Sequence, residues 1–422
     1  MQKLKAHVAG VPRGSRMKRT ARFRRLMTAS VVLLCFPASL CAQWSPLSPL
    51  SGAGAVGSPG GTHPIVANAE TLHFVWMSGG KTFYRRSTNA GVSWGHASAI
   101  VSSGTAQYPC SLEVSGSTLH LLWPDSRSGT WEVFYKQSKD GGNTWGPDTQ
   151  LTSHANLFRM GTAISGSSLH VVWGGTNRTG GISDDGPIYY KRSTDGGVTW
   201  AATVQLTVPA TGGRPAVAAL GNYVHVTWFD KRDATKDWDL EIYYKRSTDG
   251  GATWGPDVRM SHTPTHTRHP QIVATPGVVC CIWEDGQIFK DGKAEGDPAL
   301  YRAVSTDNGQ TWSKPERITF VNAPNGWATH SKTYAYGSTV HLAWTDGPDG
   351  PNKTRATYYM TSTDGGRTWG TLERLTLSSD GEWCASAVAG TDAYAITLMS
   401  ASDAIYSRRR GFAAGDGDLQ HH

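Results

Sequence analysis

The sequence predicts an all-β fold, a β-propeller of four-stranded blades, and three observations carry that prediction. An eight-residue element with the pattern Ser-x-Asp/Asn-x-Gly-x-Thr/Ser-Trp recurs six times. An apolar element that ends in Trp precedes each copy. The 422-residue chain has 49 glycines and only 17% charged residues, a composition that favours short strands joined by tight turns over helices. Four-stranded units repeated at this period are typical of propeller blades.

The eight-residue element is predicted to be a hairpin turn. Its Asp or Asn accepts hydrogen bonds from nearby backbone N–H groups, and its Gly supplies the positive φ that the turn needs. A calcium loop is excluded, because no copy has the Asp-x-Asp-x-Asp-Gly ligand spacing. The first serines are between 51 and 58 residues apart. The six copies are Ser87–Trp94, Ser138–Trp145, Ser193–Trp200, Ser247–Trp254, Ser305–Trp312 and Ser362–Trp369.

The apolar element is predicted to be the second strand of each blade. Five of its copies begin with His and one with Cys280. Because these histidines recur at the blade period, we expect them to be buried and hydrogen-bonded within the blade. The copies are His73–Trp76, His120–Trp123, His170–Trp173, His225–Trp228, Cys280–Trp283 and His341–Trp344. An aromatic third strand leads into each eight-residue element, and a fourth strand follows it.

The chain ends are predicted to close the ring. Trp44–Leu50 has the spacing of Trp145–Leu151, so it resembles a fourth strand that lacks its blade. Three more strands are expected within residues 382–408, with no eight-residue element after them. One shared blade would bring the count to seven; the alternative is a six-bladed ring of the sialidase type.

The first 42 residues are expected to be a signal peptide. They contain nine Lys or Arg and no acidic residue, then the apolar run Leu26–Leu40, and they end in Cys41-Ala42. Met1 and Met17 both remain possible starts. The predicted organisation is therefore a leader at 1–42, a propeller at 43–411 and a disordered tail at 412–422. Such a protein would be secreted or periplasmic.

Charge and cysteine content narrow the function classes. The chain has 40 basic and 33 acidic residues, but without the leader the balance is 31 to 33, a formal charge of −2. The pI of about 9.0 is therefore no argument for a nucleic-acid partner. We expect no membrane association after cleavage, no metal and no cofactor. The cysteines outside the leader, Cys110, Cys280, Cys281 and Cys384, are expected to be buried as small apolar side chains.

The repeated turn resembles the Asp box, or bacterial neuraminidase repeat, and the chain is similar to propellers of the sialidase-like superfamily over residues 43–410. That resemblance implies the propeller fold. Asp-box propellers include enzymes that cleave glycans and proteins that only bind, so the resemblance leaves catalysis open.

Propeller topology predicts where a ligand would bind. The Asp boxes lie on one rim, called here the box rim. The loops between second and third strands and the segments that lead into the first strands lie on the opposite rim, called here the loop rim. Four tryptophans outside the repeats fall on the loop rim and either stack on sugars or cover the core: Trp131, Trp238, Trp327 and Trp383.

Basic side chains at the blade starts are the predicted ligand contacts. Arg159, Arg214 and Arg268 lie at the starts of three successive blades, with His269 beside the last. A guanidinium pairs bidentately with a carboxylate, so this set favours an acidic sugar. The alternative is that each arginine pairs with an acidic residue of its own rim.

The resemblance to sialidases implies candidate catalytic residues. In blade 4, Arg214 followed by Asp230, Arg232 and Asp239 is similar to the first blade of sialidases, which implies that Arg214 and Arg232 contact substrate and that Asp239 or Asp230 is the general acid. Tyr108 is the tyrosine at a blade start and the candidate for the nucleophile.

Three functions follow as hypotheses. The first is a secreted sialidase-like propeller that binds acidic glycans, with or without hydrolysing them. The second is a polysaccharide lyase that uses Tyr108 with His63 or His269. The third is a non-catalytic propeller that binds carbohydrate or protein. The sequence leaves the sugar, its linkage and the oligomeric state undetermined.

Overall fold

A computed structural model gives the fold of the chain, which divides into two units, Met1–Cys41 and Ala42–His422. All described residues belong to the second unit. The described part contains no helix long and apolar enough to cross a membrane. The described residues are 48–50, 64–68, 71–102, 110–157, 159–175, 186–235, 239–290, 293–319, 329–346, 356–375, 382–384, 393–399 and 404–410.

The described residues form 28 strands in seven four-stranded antiparallel sheets. Six sheets are the Asp-box blades, numbered 1 to 6 along the chain. Blades 1 to 3 consist of β2–β5 (Ile65–Asn68, Thr71–Ser78, Lys81–Ser87, Ser98–Val101), β6–β9 (Ser111–Ser115, Thr118–Asp125, Glu132–Ser138, Thr149–Gln150) and β10–β13 (Arg159–Ser165, Ser168–Gly174, Ile188–Ser193, Val204–Gln205). Blades 4 to 6 consist of β14–β17 (Gly212–Leu220, Tyr223–Asp230, Glu241–Ser247, Val258–Arg259), β18–β21 (His266–Thr275, Val278–Lys290, Lys293–Ser305, Glu316–Arg317) and β22–β25 (Thr329–Tyr336, Thr339–Asp346, Ala356–Ser362, Glu373–Arg374).

The seventh sheet, called here the closing sheet, joins the two ends of the propeller. It consists of β1 (Ser48–Pro49) and β26–β28 (Glu382–Cys384, Ala393–Met399, Ala404–Arg410). Ser48 pairs with Ser407 and Pro49 with Tyr406, as the sequence predicts.

The contacts of Leu50 support the same closure. Its carbonyl accepts a hydrogen bond from Arg85 of blade 1 at 2.5 Å. In blade 2, Lys136 donates in the same way to the carbonyl of Ile100, at the end of the preceding blade. The segment at Leu50 therefore meets blade 1 as a fourth strand meets the next blade elsewhere in the ring.

The Asp boxes form the predicted turns. In blade 2, Asp140 accepts hydrogen bonds from the Ser138 hydroxyl at 2.8 Å and from Thr144 N at 2.9 Å, while Gly142 N donates to Ser138 Oγ at 2.8 Å. These donors, led by the hydroxyl of Thr144, lower the pKa of Asp140 to about 2. The box carboxylates are thus committed to the turn.

The repeated histidines are buried and hydrogen-bonded, as expected. Each Nδ1 lies 2.7–2.8 Å from a tyrosine hydroxyl of the neighbouring third strand. Burial lowers the pKa of four of them to about 4 and that of His225 to about 3. The pairs are His73–Tyr84, His120–Tyr135, His170–Tyr190, His225–Tyr244 and His341–Tyr359.

The tyrosine of each pair in blades 1 to 4 also packs against the Asp box of the next blade. A Cβ built on Gly251, the second glycine of the blade 4 box, would lie 1.9 Å from the Tyr190 hydroxyl. The Tyr190 ring also meets Trp254 of that box edge to face, with 4.9 Å between ring centroids. The box rim is therefore one of the places where neighbouring blades are held together.

The first strands of neighbouring blades pack against each other. A Cβ built on Gly161 in β10 would lie 3.2 Å from the Pro215 carbonyl oxygen in β14. The starts of β10, β14 and β18 are consequently neighbours, which brings the predicted basic residues of blades 3, 4 and 5 to adjoining positions.

Candidate functional site

A β-bulge occurs at the start of blade 4 and again at the start of blade 5. The β14–β15 register shifts between Gly213 and Ala216, and the β18–β19 register shifts between Arg268 and Gln271. In each bulge two residues of the first strand stand opposite one residue of the second strand. Arg214 and His269 are the first residues of the two bulges, and their backbone φ angles are +49° and +50°. Left-handed backbone is rare for such residues and is disfavoured before proline, which follows both. Strain of this kind is enriched at functional sites.

The bulges change which residues at the blade starts are equivalent. Arg268 lies opposite Glu284, and Arg159 lies opposite Gly174; in both cases the partner directly follows the second-strand Trp. Arg214 instead matches His269. Arg159 and Arg268 therefore occupy equivalent positions, whereas Arg214 stands one position further on, inside the bulge that follows Gly213.

Glu284 joins the two basic residues of blade 5. Its side chain is 2% exposed; Arg268 Nε donates to Oε2 at 3.1 Å, and His269 Nδ1 lies 2.8 Å from Oε1. Consecutive residues of a regular strand point to opposite faces. The bulge is what allows Arg268 and His269, adjacent in sequence, to reach the same carboxylate.

The charge of His269 depends on all of these neighbours. Burial lowers its pKa from 6.5, Glu284 opposes that effect, and the guanidinium groups of Arg214 and Arg268 lower the pKa further. The imidazole is therefore neutral at neutral pH. The packing of β14 against β18 places the starts of blades 4 and 5 side by side on the loop rim.

Arg159 lies next to this cluster through the backbone. It is the first residue of β10 and is partly exposed. Its strand partner Gly174 adjoins blade 4, since a Cβ built on Gly174 would lie 3.9 Å from Arg214 N. The described loop rim thus brings Arg159, Arg214, Arg268 and His269 together across three blades.

Asp230 and Arg232 belong to a structural network instead. Asp230 is 1% exposed and accepts hydrogen bonds from Trp228 Nε1 at 2.8 Å, from Thr211 Oγ1 at 2.6 Å and from Arg232 Nη2 at 2.6 Å. Arg232 also pairs with Asp257 at 2.6 Å. With its oxygens occupied inside the blade, Asp230 is placed to hold the loop rather than to protonate a ligand.

The same network occurs in blade 2, and this recurrence indicates that the network serves the blade structure. Asp125 accepts hydrogen bonds from Trp123 Nε1 at 3.1 Å and from Arg127 Nη2 at 2.6 Å, and Arg127 pairs with Asp148 at 2.7 Å. The recurrence of Trp-x-Asp-x-Arg at 123–127 and 228–232 was a sequence signal for this role. The predicted catalytic role of Asp230 and ligand role of Arg232 have no support from these contacts.

The remaining predicted site residues have varied placements. Asp239 is partly exposed and accepts hydrogen bonds from Thr235 N at 3.2 Å and Thr235 Oγ1 at 3.0 Å. Trp131 packs partly buried against the core of blades 2 and 3. The backbone of Trp383 lies in β26, paired with Leu398, but its side chain is outside the description.

Four residues that the sequence hypotheses name lie outside the described residues: His63, Tyr108, Trp238 and Trp327. Among the described residues, no group of three or more His, Cys, Asp or Glu side chains is arranged to hold a metal ion. Cys110, Cys280 and Cys281 are buried free thiols, as expected of small apolar side chains.

Sequence reasoning missed Glu284, the residue that joins Arg268 to His269. A signal for it was present in the repeat. The residue after the second-strand Trp is Met77, Pro124, Gly174, Phe229 and Thr345 in the other five blades. Glu284 is ionisable, whereas the residues at this position in the other five blades are not. A residue type that departs from the repeat is one that the blade structure itself does not require.

Comparison with known proteins agrees with this architecture. The family model of the BNR/Asp-box repeat matches residues 303–314, which contain the fifth box. Comparison with curated protein sequences gives no match. Among solved structures, a PL25 polysaccharide lyase, an ulvan lyase bound to -[GlcA(1-4)Rha3S]-, is similar with a TM-score of 0.55 at 11% identity, covering 86% of this chain and 95% of that one.

Two further structures are similar. The polysaccharide lyase Uly1 has a TM-score of 0.53 at 12% identity, covering 84% of this chain and 90% of that one. The Trypanosoma rangeli sialidase in complex with the inhibitor DANA has a TM-score of 0.43 at 13% identity, covering 75% of this chain and 56% of that one. At these identities the likeness concerns the fold.

The six repeats, the match to the repeat family and the sheet topology together define the class of this protein. The chain is an Asp-box β-propeller, consistent with the sialidase-like superfamily that its repeats resemble.

Proposed function

We propose that this protein is a secreted Asp-box propeller that binds an acidic glycan on its loop rim. The observation that carries the proposal is the cluster at the starts of blades 4 and 5, where Arg214, Arg268 and His269 come together. Two of these residues stand in strained bulges at the same position of neighbouring blades. A paired set of guanidinium groups with an imidazole is suited to bind a carboxylate.

The similar structures are consistent with that ligand class. The two polysaccharide lyases described above have TM-scores above 0.5, and the ligand of one contains glucuronate. A uronate carries the carboxylate that the basic cluster would bind. The acidic character of the ligand nevertheless rests on the cluster itself, since the likeness to these enzymes concerns the fold.

A polysaccharide lyase is the second candidate function, favoured by the state of His269. A neutral imidazole can accept the proton α to a uronate carboxylate while arginines bind that carboxylate. The C–O bond on the neighbouring ring carbon, β to the carboxylate, then breaks. A C=C bond forms in the resulting unsaturated uronate, and the leaving oxygen takes up a proton. In the ligand-free protein His269 has a lowered pKa and is neutral at neutral pH, the charge state of a general base, although a bound uronate would raise that pKa.

Sialidase-type hydrolysis has less support from the described residues. It needs an exposed acid, and Asp230 is buried within its blade. Asp239 is the candidate acid that retains exposure, although Thr235 donates to it. The lyase and hydrolase hypotheses therefore depend on different residues, His269 for the first and Asp239 for the second.

A screen with three ligand classes tests the proposal. Isothermal titration with sialosides, uronate oligomers and neutral oligosaccharides should give binding to an acidic class and none to the neutral one. An increase in ultraviolet absorbance from an unsaturated uronate would identify a lyase, and free sialic acid would identify a hydrolase. Binding without either product would identify a binding protein. Equal binding to neutral sugars would contradict the proposal.

Secretion is a separate part of the proposal and rests on the basic and apolar leader. The exported protein should begin at or near Gln43. Amino-terminal sequencing of material recovered outside the cytoplasm tests this, and retention of Met1 or Met17 there would contradict it.

A further inference from the structure

We infer that Glu284 is the positioning residue of the ligand site: it holds Arg268 and His269 together and couples the binding of an acidic ligand to the uptake of a proton by His269. The inference rests on the proposed binding of an acidic glycan.

The first argument is the burial of a charge that the blade does not need. The Glu284 carboxylate is 2% exposed. Burying an ion is costly unless it is paired, and the same position in the other five blades holds Met, Pro, Gly, Phe or Thr. A second strand therefore folds without a carboxylate here, and the acid of blade 5 is placed by its contacts with Arg268 and His269.

The second argument is the geometry of those contacts. One carboxylate oxygen accepts from Arg268 Nε at 3.1 Å, and the other faces His269 Nδ1 at 2.8 Å. A carboxylate that faces Nδ1 favours the tautomer with its proton on that nitrogen, and this leaves Nε2 as the basic atom. Glu284 thus holds the Arg268 side chain and stands within ion-pair distance of His269 Nδ1, where it favours a proton on that nitrogen.

Blade 4 shows the same bulge without the acid. Arg214 stands where His269 stands, and Phe229 occupies the position of Glu284. The starts of blades 4 and 5 therefore differ in one respect that matters for protons: blade 4 supplies a permanent charge, whereas blade 5 supplies an imidazole whose charge can change.

The charges around His269 set the direction of the coupling. Arg268 lies on the same strand, Arg214 on β14 and Glu284 on β19, and these are the charged groups that act on its pKa. On the other neighbouring strand, β22, the described cation is Lys332, which is not among them. A ligand carboxylate brought to the arginines would add a negative charge and raise the His269 pKa toward or above 6.5.

The sign of the pH dependence follows. Ligand binding favours the protonated imidazole, so affinity should rise as the pH falls through the His269 pKa of the ligand-bound protein. The rise should stop below the lowered pKa of the ligand-free protein, where His269 is already charged. Binding an oligogalacturonate should accordingly take up protons, and the heat of binding should differ between two buffers of unequal ionisation enthalpy.

Glu284→Gln separates positioning from simple electrostatics. Removing a negative charge beside an anion site would by itself raise the affinity for an oligogalacturonate. A glutamine cannot accept from both Arg268 and His269 as the carboxylate does, so loss of positioning should instead lower the affinity about tenfold. The His269 pKa should also fall further, moving the pH dependence to lower pH. Glu284→Asp should restore part of both effects.

Glu316→Gln is the matched control, because it removes the same charge from a side chain that is 66% exposed and paired with Arg302 outside the cluster. It should bind as the wild type does. If Glu284→Gln does not fold, calorimetry on the wild type and His269→Gln decides instead: proton uptake is expected in the first and its loss in the second.

The outcomes are distinguishable. Wild-type affinity in Glu284→Gln, or a higher one, with an unchanged pH profile overturns the inference and leaves the acidic-glycan proposal standing if Arg214→Gln still loses binding. Absence of proton uptake in the wild type also overturns it. If the wild type binds no acidic glycan, the proposed function fails and the inference fails with it.

Discussion

The five repeated histidines and His269 belong to the same chain but contact different partners. Each repeated histidine faces a tyrosine hydroxyl near the box rim, where the tyrosine of blades 1 to 4 also packs against the next Asp box. His269 faces a buried carboxylate on the loop rim, between two arginines. Burial lowers the pKa in both groups, so burial and pKa alone do not distinguish them.

The partners make the distinction. A contact that recurs at the blade period serves the blade, whereas the Glu284 contact occurs once among the described blades. The two rims should therefore respond to mutation in opposite ways: changes at the box rim should cost stability, and changes at the starts of blades 4 and 5 should cost ligand binding.

The largest effect is expected at the box rim, from Gly251→Ala. The added Cβ would lie 1.9 Å from the Tyr190 hydroxyl, and Gly251 has a φ of +84°. Clash and backbone strain together should lower the free energy of unfolding by about 3 kcal/mol or more, measured by urea denaturation.

Gly250→Ala is the control for that variant. Gly250 also has a positive φ, +66°, but its nearest neighbour would be 3.7 Å from the new Cβ. Strain alone should cost about 1 kcal/mol. Equal losses in the two variants would contradict the packing of Tyr190 against this turn.

Arg232→Gln should cost less stability and spare ligand binding. Arg232 donates to Asp230 and Asp257, and its loss leaves a buried carboxylate with one partner fewer. The free energy of unfolding should fall by about 2 kcal/mol, while the affinity for an oligogalacturonate should change by less than about threefold. A large loss of affinity in a variant that remains folded would return Arg232 to the ligand site.

Acid should lower the stability gradually, through the repeated histidines. The repeated histidines have pKa values of about 4 or below when folded and about 6.5 when unfolded, so the unfolded state binds more protons between these values. Their contribution is complete above pH 6.5 and is lost as the pH falls to about 4, by at most about 1.4 kcal/mol per pH unit for each histidine.

Urea denaturation at pH 7, 5.5 and 4.5 measures that loss. Unfolding should take up several protons in this interval, and about one fewer in His170→Gln. Stability that does not change between pH 7 and 4.5 would mean that these histidines are not buried in the neutral form.

The fold was largely predictable because it repeats. Six boxes at a spacing of 51 to 58 residues set the blades, and recurrence at the blade period correctly predicted that the histidines are buried. The match of Trp44–Leu50 to a fourth strand predicted the pairing now seen at Ser48 and Pro49.

The site was predictable only in part, because it depends on register. Arg214, Arg268 and His269 were found from their place at the blade starts. A bulge adds one residue without leaving a reliable mark in the sequence. Arg159 lies 14 residues before its second-strand Trp and Arg268 lies 15 before its own, so their equivalent pairing could not be counted from the sequence. Asp230 and Arg232 were assigned by resemblance to the first blade of sialidases, whereas Asp125 and Arg127 form the same pair in blade 2.

The central claim is that the starts of blades 4 and 5 bind an acidic ligand, and a charge-matched pair of variants tests it most directly. Arg214→Gln and Arg232→Gln each remove one positive charge from blade 4. Calorimetric titration with an oligogalacturonate, or with the acidic glycan that the screen identifies, should show a loss of about 2–4 kcal/mol for Arg214→Gln, roughly 30- to 1000-fold in Kd, and little change for Arg232→Gln. Wild-type affinity in Arg214→Gln, or an equal loss in both variants, would contradict the claim.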